Sequence, residues 1–190
     1  MNVYDFDGTI YRYDTTARFF LFCLRRHPRI VRRGPAVILA ALRYLTGSLD
    51  KTGAKQVFLS FLTDVPDPAA ELELVWNREI RNVHRWYLAA HRDDDLVITA
   101  SPEDFVRPAC RRLGIGGLIG SPVDIRTGRY NGVNCDGKRK VEVFRRAFGD
   151  AKAERFYSDS RNDAPMAALA AKAFRVKGER VLPWPDSWRS

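Results

Sequence analysis

The stretch VYDFDGT, Val3 to Thr9, decides how the rest of the chain is read. Val3 to Phe6 has the apolar and aromatic character of a short buried strand, and Gly8 ends it. That strand nevertheless places two aspartates, Asp5 and Asp7, two residues apart. Side chains alternate along an extended chain, so both carboxylates reach toward the same side. Carboxylates that close repel each other. They are tolerated in solvent, around a metal ion, or where one of them keeps its proton.

The bulk of the sequence bounds what those carboxylates could serve. A chain of 190 residues suggests one domain, or one domain with a sizeable insertion. With 45% hydrophobic and 29% charged residues it is globular rather than disordered. A net charge of +9 favours anionic partners: nucleic acid, acidic lipid or phosphorylated metabolites. The cysteines (Cys23, Cys110 and Cys135) are odd in number, widely spaced and free of any CxxC pair. They suggest neither a disulfide framework nor a zinc site, and they predict the reducing cytoplasm. The polar first residues speak against a secretory signal peptide. The most apolar run, PAVILAALRYL (Pro35 to Leu45), is well short of the ~20 residues that a membrane span needs.

From Asp14 the pattern turns helical. Thr15 and Thr16 are N-cap candidates for ARFFLFCLRRH. Three more helical stretches follow: PAVILAALRYLTG, KTGAKQVFLSFL and the long PAAELELVWNREIRNVHRWYLAAHR. DLVITA (Asp95 to Ala100) then reads as a buried parallel strand. In the helix after it, Ser101, Pro102 and Asp104 suit the N-cap, the first helical position and the capping box, and Pro108 is expected to kink it. LIGSPVDIRTGRYNGVN reads as strand and hairpin, KRKVEVFRRAFG as a basic amphipathic helix, and ERFYSDS as a strand end. APMAALAAKA reads as helix and FRVKG as strand. Strand alternating with helix predicts an α/β fold, a Rossmann-like parallel sheet with helices on both faces. The expected division is a core of residues 1–13 and 92–190, with residues 14–91 as a helical cap inserted after the first strand.

Open parallel sheets bind ligands at the carboxyl ends of their strands. Four polar clusters fall there: Asp5, Asp7, Gly8 and Thr9; Thr99 and Ser101; Gly137, Lys138 and Lys140; and Ser158, Asp159, Asn162 and Asp163. In this order the set resembles the haloacid dehalogenase (HAD) superfamily of phosphohydrolases. DFDGT fits its DxDGT motif, and VIT fits the strand ending in Thr or Ser. CDGKRK fits the CxGxxK form of the lysine motif, and YSDSRND fits the fourth motif. The cap position and the CxGxxK and YSDSxxD forms resemble the phosphoserine-phosphatase-like branch, subfamily IB.

The resemblance implies a Mg²⁺-dependent phosphatase that works through an aspartyl-phosphate at Asp5. A carboxylate attacking phosphorus needs a cation to lessen anion–anion repulsion, and Mg²⁺, a hard ion shared between carboxylates and phosphate, suits that role. Asp5 would then be nucleophile and metal ligand. Asp7 would protonate the leaving oxygen and activate water, with its backbone carbonyl on the metal. Asp159 would bind the metal directly, and Asp163 and Asn162 would support that shell. Lys140 would neutralise the nucleophile and the phosphoryl group, with Lys138 as the alternative motif lysine. Thr99 and the backbone N–H groups near Ala100 and Ser101 would hold phosphate oxygens. Asp7 favours phosphoryl transfer over dehalogenation, which needs no acid. Asp14 falls near the substrate-sensing glutamate of phosphoserine phosphatases; it serves equally as a helix cap.

The expected substrate is a small phosphorylated metabolite, and no nucleic acid partner is expected. Thr15 to Leu49 lacks any acidic residue while carrying Arg18, Arg25, Arg26, Arg29, Arg32, Arg33 and Arg43. A solvated basic face beside an ordinary core helix explains this most simply. The alternatives are anion recognition and docking of the cap on an anionic membrane, which would suit a lipid head-group phosphate as substrate. A non-catalytic polyanion-binding module on the same fold is the reading from another class. His27, His84 and His91 read as surface residues, and Trp184 and Trp188 as clamps for the tail.

Overall fold

The computed structural model describes residues 1–188. Strand β1 (Asn2–Tyr4) is short but buried on both faces. It lies at the centre of a six-stranded sheet of order β3-β2-β1-β4-β5-β6, where β2 is Leu96–Pro102 and β3 is Gly117–Ser121. The other strands are β4 (Ala153–Ser158), β5 (Ala170–Lys177) and β6 (Arg180–Pro183). All neighbours are parallel except β5 and β6, an antiparallel pair. The α/β reading therefore holds. Successive residues of β1 face opposite sides, so Val3 enters one apolar core and Tyr4 the other. Tyr4 stacks on Tyr157 at 4.7 Å, and Tyr157 on Phe174 at 5.0 Å, one ring from each of three adjacent strands.

Between β1 and β2 the chain forms α1 (Thr15–Arg26), α2 (Gly34–Leu45), α3 (Lys51–Leu59), α4 (Pro68–Glu79) and α5 (Arg85–Ala90), with 3₁₀ turns between some of them. α1 is capped by Asp14, whose side chain accepts from the Ala17 N–H at 2.7 Å, rather than by Thr15 or Thr16. The one long helix expected after Pro68 is broken. His84 donates its N–H to the Ile10 carbonyl at 2.9 Å, and Val83 bridges Tyr11, so the chain leaves helical pairing to join the first loop. Glu179 then accepts from the N–H groups of Arg85 (3.0 Å) and Trp86 (3.3 Å) at the start of α5. Trp86 and Tyr87 pack against Tyr4, which lays α5 on the sheet.

After β2 come α6 (Glu103–Leu113), α7 (Lys138–Phe148) and α8 (Ala164–Ala167). β2 runs to Pro102, so Ser101 is a strand residue and not the N-cap of α6. Pro108 sits inside α6 and withholds a donor from the Asp104 carbonyl. The hairpin after β3 shrinks to one bridge, Val123 to Tyr130. The helix expected over APMAALAAKA ends at Ala167, and Ala170 to Ala173 begins β5. Pairing with β4 overrides the helical preference of alanine there.

The histidines are not loose surface groups. His84 is 2% exposed and pairs with Glu179 at 2.9 Å, and His27 meets Glu71 at 3.0 Å. Much of the basic cap face is also internally paired: Arg18 with Glu79, Arg26 with Glu71, and Arg32 and Arg33 with Asp64. Among the described residues no helix is long and apolar enough to cross a membrane. The tail packs as expected, with Trp184 buried against Phe156 and Trp188. Trp184→Ala should therefore cost about 3 kcal/mol of unfolding free energy; a denaturant titration showing less than about 1 kcal/mol would mean the clamp is decorative.

Candidate active site

The site forms where β1 and β4 end side by side. Pairing continues one residue past β1, because Asp5 donates its N–H to the Tyr157 carbonyl at 2.9 Å. This fixes Asp5 at the head of the sheet, 8% exposed. Lys140, from the first turn of α7, is 2% exposed and places its ammonium 2.7 Å from Asp5 and 2.8 Å from Asp163. Asp163 also accepts from the Ser158 hydroxyl at 2.7 Å. Lys138 is exposed, so Lys140 is the lysine brought to the carboxylates. Asp163 touches Lys140 itself, and Asn162 is exposed with no side-chain hydrogen bond among the described residues.

Asp7 sits in a different polar setting. Its carboxylate accepts from both the N–H (3.0 Å) and the hydroxyl of Thr15, and from the Ser101 hydroxyl. One acid thus meets the first cap helix and the end of β2. Thr99 is buried, and its hydroxyl accepts the Ser101 N–H at 3.1 Å. That N–H is therefore engaged, and it does not belong to a helix start. The Ala100 carbonyl accepts from Lys55 at 3.3 Å and from the Ser121 hydroxyl at 3.0 Å.

Gly8 turns the chain at φ 72°, and a Cβ there would collide with the Asp159 carboxylate. The Asp159 N–H donates to the Thr9 hydroxyl at 3.0 Å, tying the first loop to the fourth motif. Gly8 and Thr9 are structural parts of the site, and they were visible in the DxDGT match itself. Asp159 lies on the Gly8 side of this loop, whereas Asp5 and Asp7 line a cleft of ≈ 490 Å³. Asp14, Thr16, Lys55, Phe58, Thr99, Ala100, Ser101 and Tyr130 line the same cleft. Lys55 and Tyr130 carried no motif signal. The buried Tyr130 hydroxyl has no partner among the described residues. Burial lowers the Lys55 pKa, with Lys51 adding to the effect.

The carboxylates are short of positive charge. Burial raises Asp5 to about 7 even though Lys140 works against it, and Asp163 adds to the rise. Burial, then Asp14, raises Asp7 to about 6 against the hydrogen bonds from Ser101 and Thr15. Lys140 moves the other way from what burial alone would do: attraction to Asp5 and Asp163 keeps it charged. This deficit fits a further cation. Among the described residues no three His, Cys, Asp or Glu side chains gather at one point. The Asp5 and Asp159 carboxylates, expected to be metal ligands, offer oxygen only, and they line neighbouring but separate hollows. That set is too sparse for a zinc or calcium cage, but it suits Mg²⁺, which keeps waters and is held by one or two carboxylates plus substrate phosphate.

The family described as haloacid dehalogenase-like hydrolase matches residues 3–168. The chain belongs to that family. It is 32% identical to protein CicA of Caulobacter vibrioides over 91% of this chain and 84% of the other. A protein of unknown function from Bordetella pertussis Tohama I superposes with a TM-score of 0.74 at 23% identity, covering 91% of this chain and 87% of that one. A phosphoserine phosphatase held as a phospho-aspartyl intermediate analogue superposes at 0.57 and 16% identity, covering 90% and 83%. At those identities the last two establish the shared fold.

Two outcomes follow from the geometry. Gly8→Ala forces both an unfavourable φ and a clash with Asp159, so it should lower the melting temperature and abolish any activity of the site; a fully active variant would refute the close approach. For Asp7 the folded pKa lies above the ordinary carboxylate value. Its folded form holds the extra proton, so stability falls as pH rises through that window and stays lost above it. Asp7→Asn should therefore raise the melting temperature of metal-free protein by roughly 2–6 °C near pH 8, with no gain near pH 4. The reverse order would show that the Thr15 and Ser101 hydrogen bonds outweigh burial.

Proposed function

We propose that the protein is a phosphoric monoester hydrolase that transfers a phosphoryl group to Asp5 and then to water. The observation that carries this reading is the buried Lys140 ammonium between Asp5 and Asp163, beside a second acid, Asp7, at the mouth of the same cleft. Lys140 holds Asp5 in place and offsets charge on the attacking oxygen. Asp7 gives a proton to the leaving oxygen and takes one from water. A pKa raised to about 6 suits both duties near neutral pH. Thr99 and Ala100 form the wall behind the phosphoryl group. The Thr99 hydroxyl, which accepts the Ser101 N–H, keeps its own proton for a phosphate oxygen. Asp163 positions Lys140, and Thr9 positions Asp159.

Asp5, Asp159 and the Asp7 carbonyl would hold Mg²⁺, which when bound lessens repulsion between the carboxylate and the phosphate dianion. The substrate is a small phosphorylated metabolite that fits the cleft. Lys55, Tyr130 and Phe58 on its walls offer a cation, an unpaired hydroxyl and an apolar face for the rest of the molecule. Asp14 borders the same space while capping α1, so its two expected uses are compatible. The cytoplasm suits three buried cysteines that remain unpaired. One observation favours a lipid head-group phosphate as the second reading: the cap presents an apolar helix face to solvent.

Hydrolysis of a chromogenic phosphate monoester tests the chemistry. Wild-type protein should turn over with Mg²⁺ and stop on chelation, and Asp5→Asn should lose at least about a thousandfold in kcat. Equal residual rates for both proteins would remove turnover of soluble monoesters at Asp5 and favour the polyanion-binding alternative. Lys55→Met should raise KM for anionic substrates with little change in kcat; an effect on kcat alone would remove Lys55 from substrate recognition.

A further inference from the structure

Helix α2 is inside out. At 100° per residue, Ile38, Leu42 and Leu45 fall within about 60° of one another on its circumference. They are 63%, 55% and 79% exposed. Leu39 beside them is 58% exposed, and Val31, in the 3₁₀ turn that leads into the helix, is 68% exposed. The buried positions, Ala40 fully and Val37 in part, lie on the opposite side, toward α3. A surface helix normally turns its apolar stripe to the core and its charges to water. Here the apolar stripe faces out, on a helix of 12 residues, far too short to span a bilayer.

The charges of the segment that carries that stripe have one sign. No acidic residue occurs from Thr15 to Leu49. Arg18, Arg26, Arg32 and Arg33 find carboxylates within the cap. Arg25, Arg29 and Arg43 are exposed and form no ion pair with another described residue. An exposed apolar helix face with an unpaired arginine on the same helix, Arg43, and two more on the segments that lead into it, Arg25 and Arg29, is the chemistry of a helix lying in a lipid interface. Leucine and isoleucine enter the acyl boundary, and the guanidinium groups meet anionic head groups. A second copy of the chain would fit less well. A two-fold contact through this face would bring like-charged arginines of two copies together, with Asp50 the nearest acid along the chain.

We infer that α2 docks the cap on an anionic lipid bilayer. The active-site cleft is lined from the start of α1, from α3, from the end of β2 and by loop residues such as Asp5 and Asp7, and uses no residue of α2, so docking is separable from catalysis and does not depend on which phosphate ester is cleaved. One short helix with three free arginines gives reversible attachment, sensitive to salt and to lipid charge.

Sedimentation of the full chain with vesicles tests this. The wild type should partition onto vesicles of equal parts phosphatidylglycerol and phosphatidylcholine. It should bind phosphatidylcholine vesicles at least about tenfold more weakly, and should release at about 0.5 M salt. The combined Ile38→Ser, Leu42→Ser and Leu45→Ser variant should lose binding at least about a hundredfold, while hydrolysing a soluble chromogenic phosphate ester as the wild type does. Leu45→Glu alone, at the most exposed of these positions, gives the same readout without touching any buried contact. Replacing Arg25, Arg29 and Arg43 by Glu should abolish the preference for anionic vesicles. Three results would overturn the inference: wild-type protein that stays in the supernatant, binding unchanged by Leu45→Glu and by the arginine replacements, or a wild-type dimer that the serine variant makes monomeric. The last would assign the face to a second copy.

Discussion

The structure depends on one buried ammonium. Lys140 leaves water almost completely, and only the two carboxylates it touches make that tolerable. Burying a charge costs several kcal/mol by itself, so the pairing must be close and nearly complete. That demand reaches through the fold. It requires the end of β1 to present Asp5, the turn after β4 to present Asp163, and α7 to begin where its first turn enters between them. Gly137, at φ 56°, lets the chain enter α7 at that place. The Ser158 hydroxyl donates to the same Asp163 oxygen that Lys140 meets, which helps to hold that carboxylate in place. The sheet order, with β1 between β2 and β4, is the arrangement that brings these ends together.

How much of this could be read from the chain follows a physical division. The strand at Val3 to Tyr4 was legible because a buried central strand must be apolar on both faces. The acidic and lysine motifs were legible because the close approach at Gly8 and the charge balance around Lys140 admit few alternatives. Elements set by tertiary pairing were not. Ala170 to Ala173 has helical composition and becomes strand because β4 offers an unpaired edge. The helix after Pro68 stops because the first loop claims the His84 N–H. Ser101 looked like a cap, and only the structure shows its hydroxyl on Asp7, a residue far away in sequence.

Hydrophobic pattern also misled at α2. Its residues have the composition of a core helix, and periodicity reveals which side chains share a face without revealing what that face meets. The packing shows the apolar face turned to solvent. The arginine cluster split in a similar way: carboxylates distant in sequence, such as Glu71 and Glu79 on α4, neutralise some of it and leave the rest.

The first four helices after β1 meet the rest of the chain through two unlike seams. On one, Phe19 packs on Phe105 at 4.8 Å, and the Trp76 indole donates to the Phe105 carbonyl, so α1 and α4 are held to α6 by dry, interlocking contact. On the other, α3 meets the core through polar pairs: Lys51 with Asp136, Thr52 with Asn134, Lys55 with Ala100 and Gln56 with Tyr130. Water can replace every partner in the second set, whereas in the first it has no substitute for the packing of Phe19 on Phe105. The seam at α3 can exchange its protein hydrogen bonds for solvent ones at little net cost, whereas parting α1 and α4 from α6 would bare apolar surface.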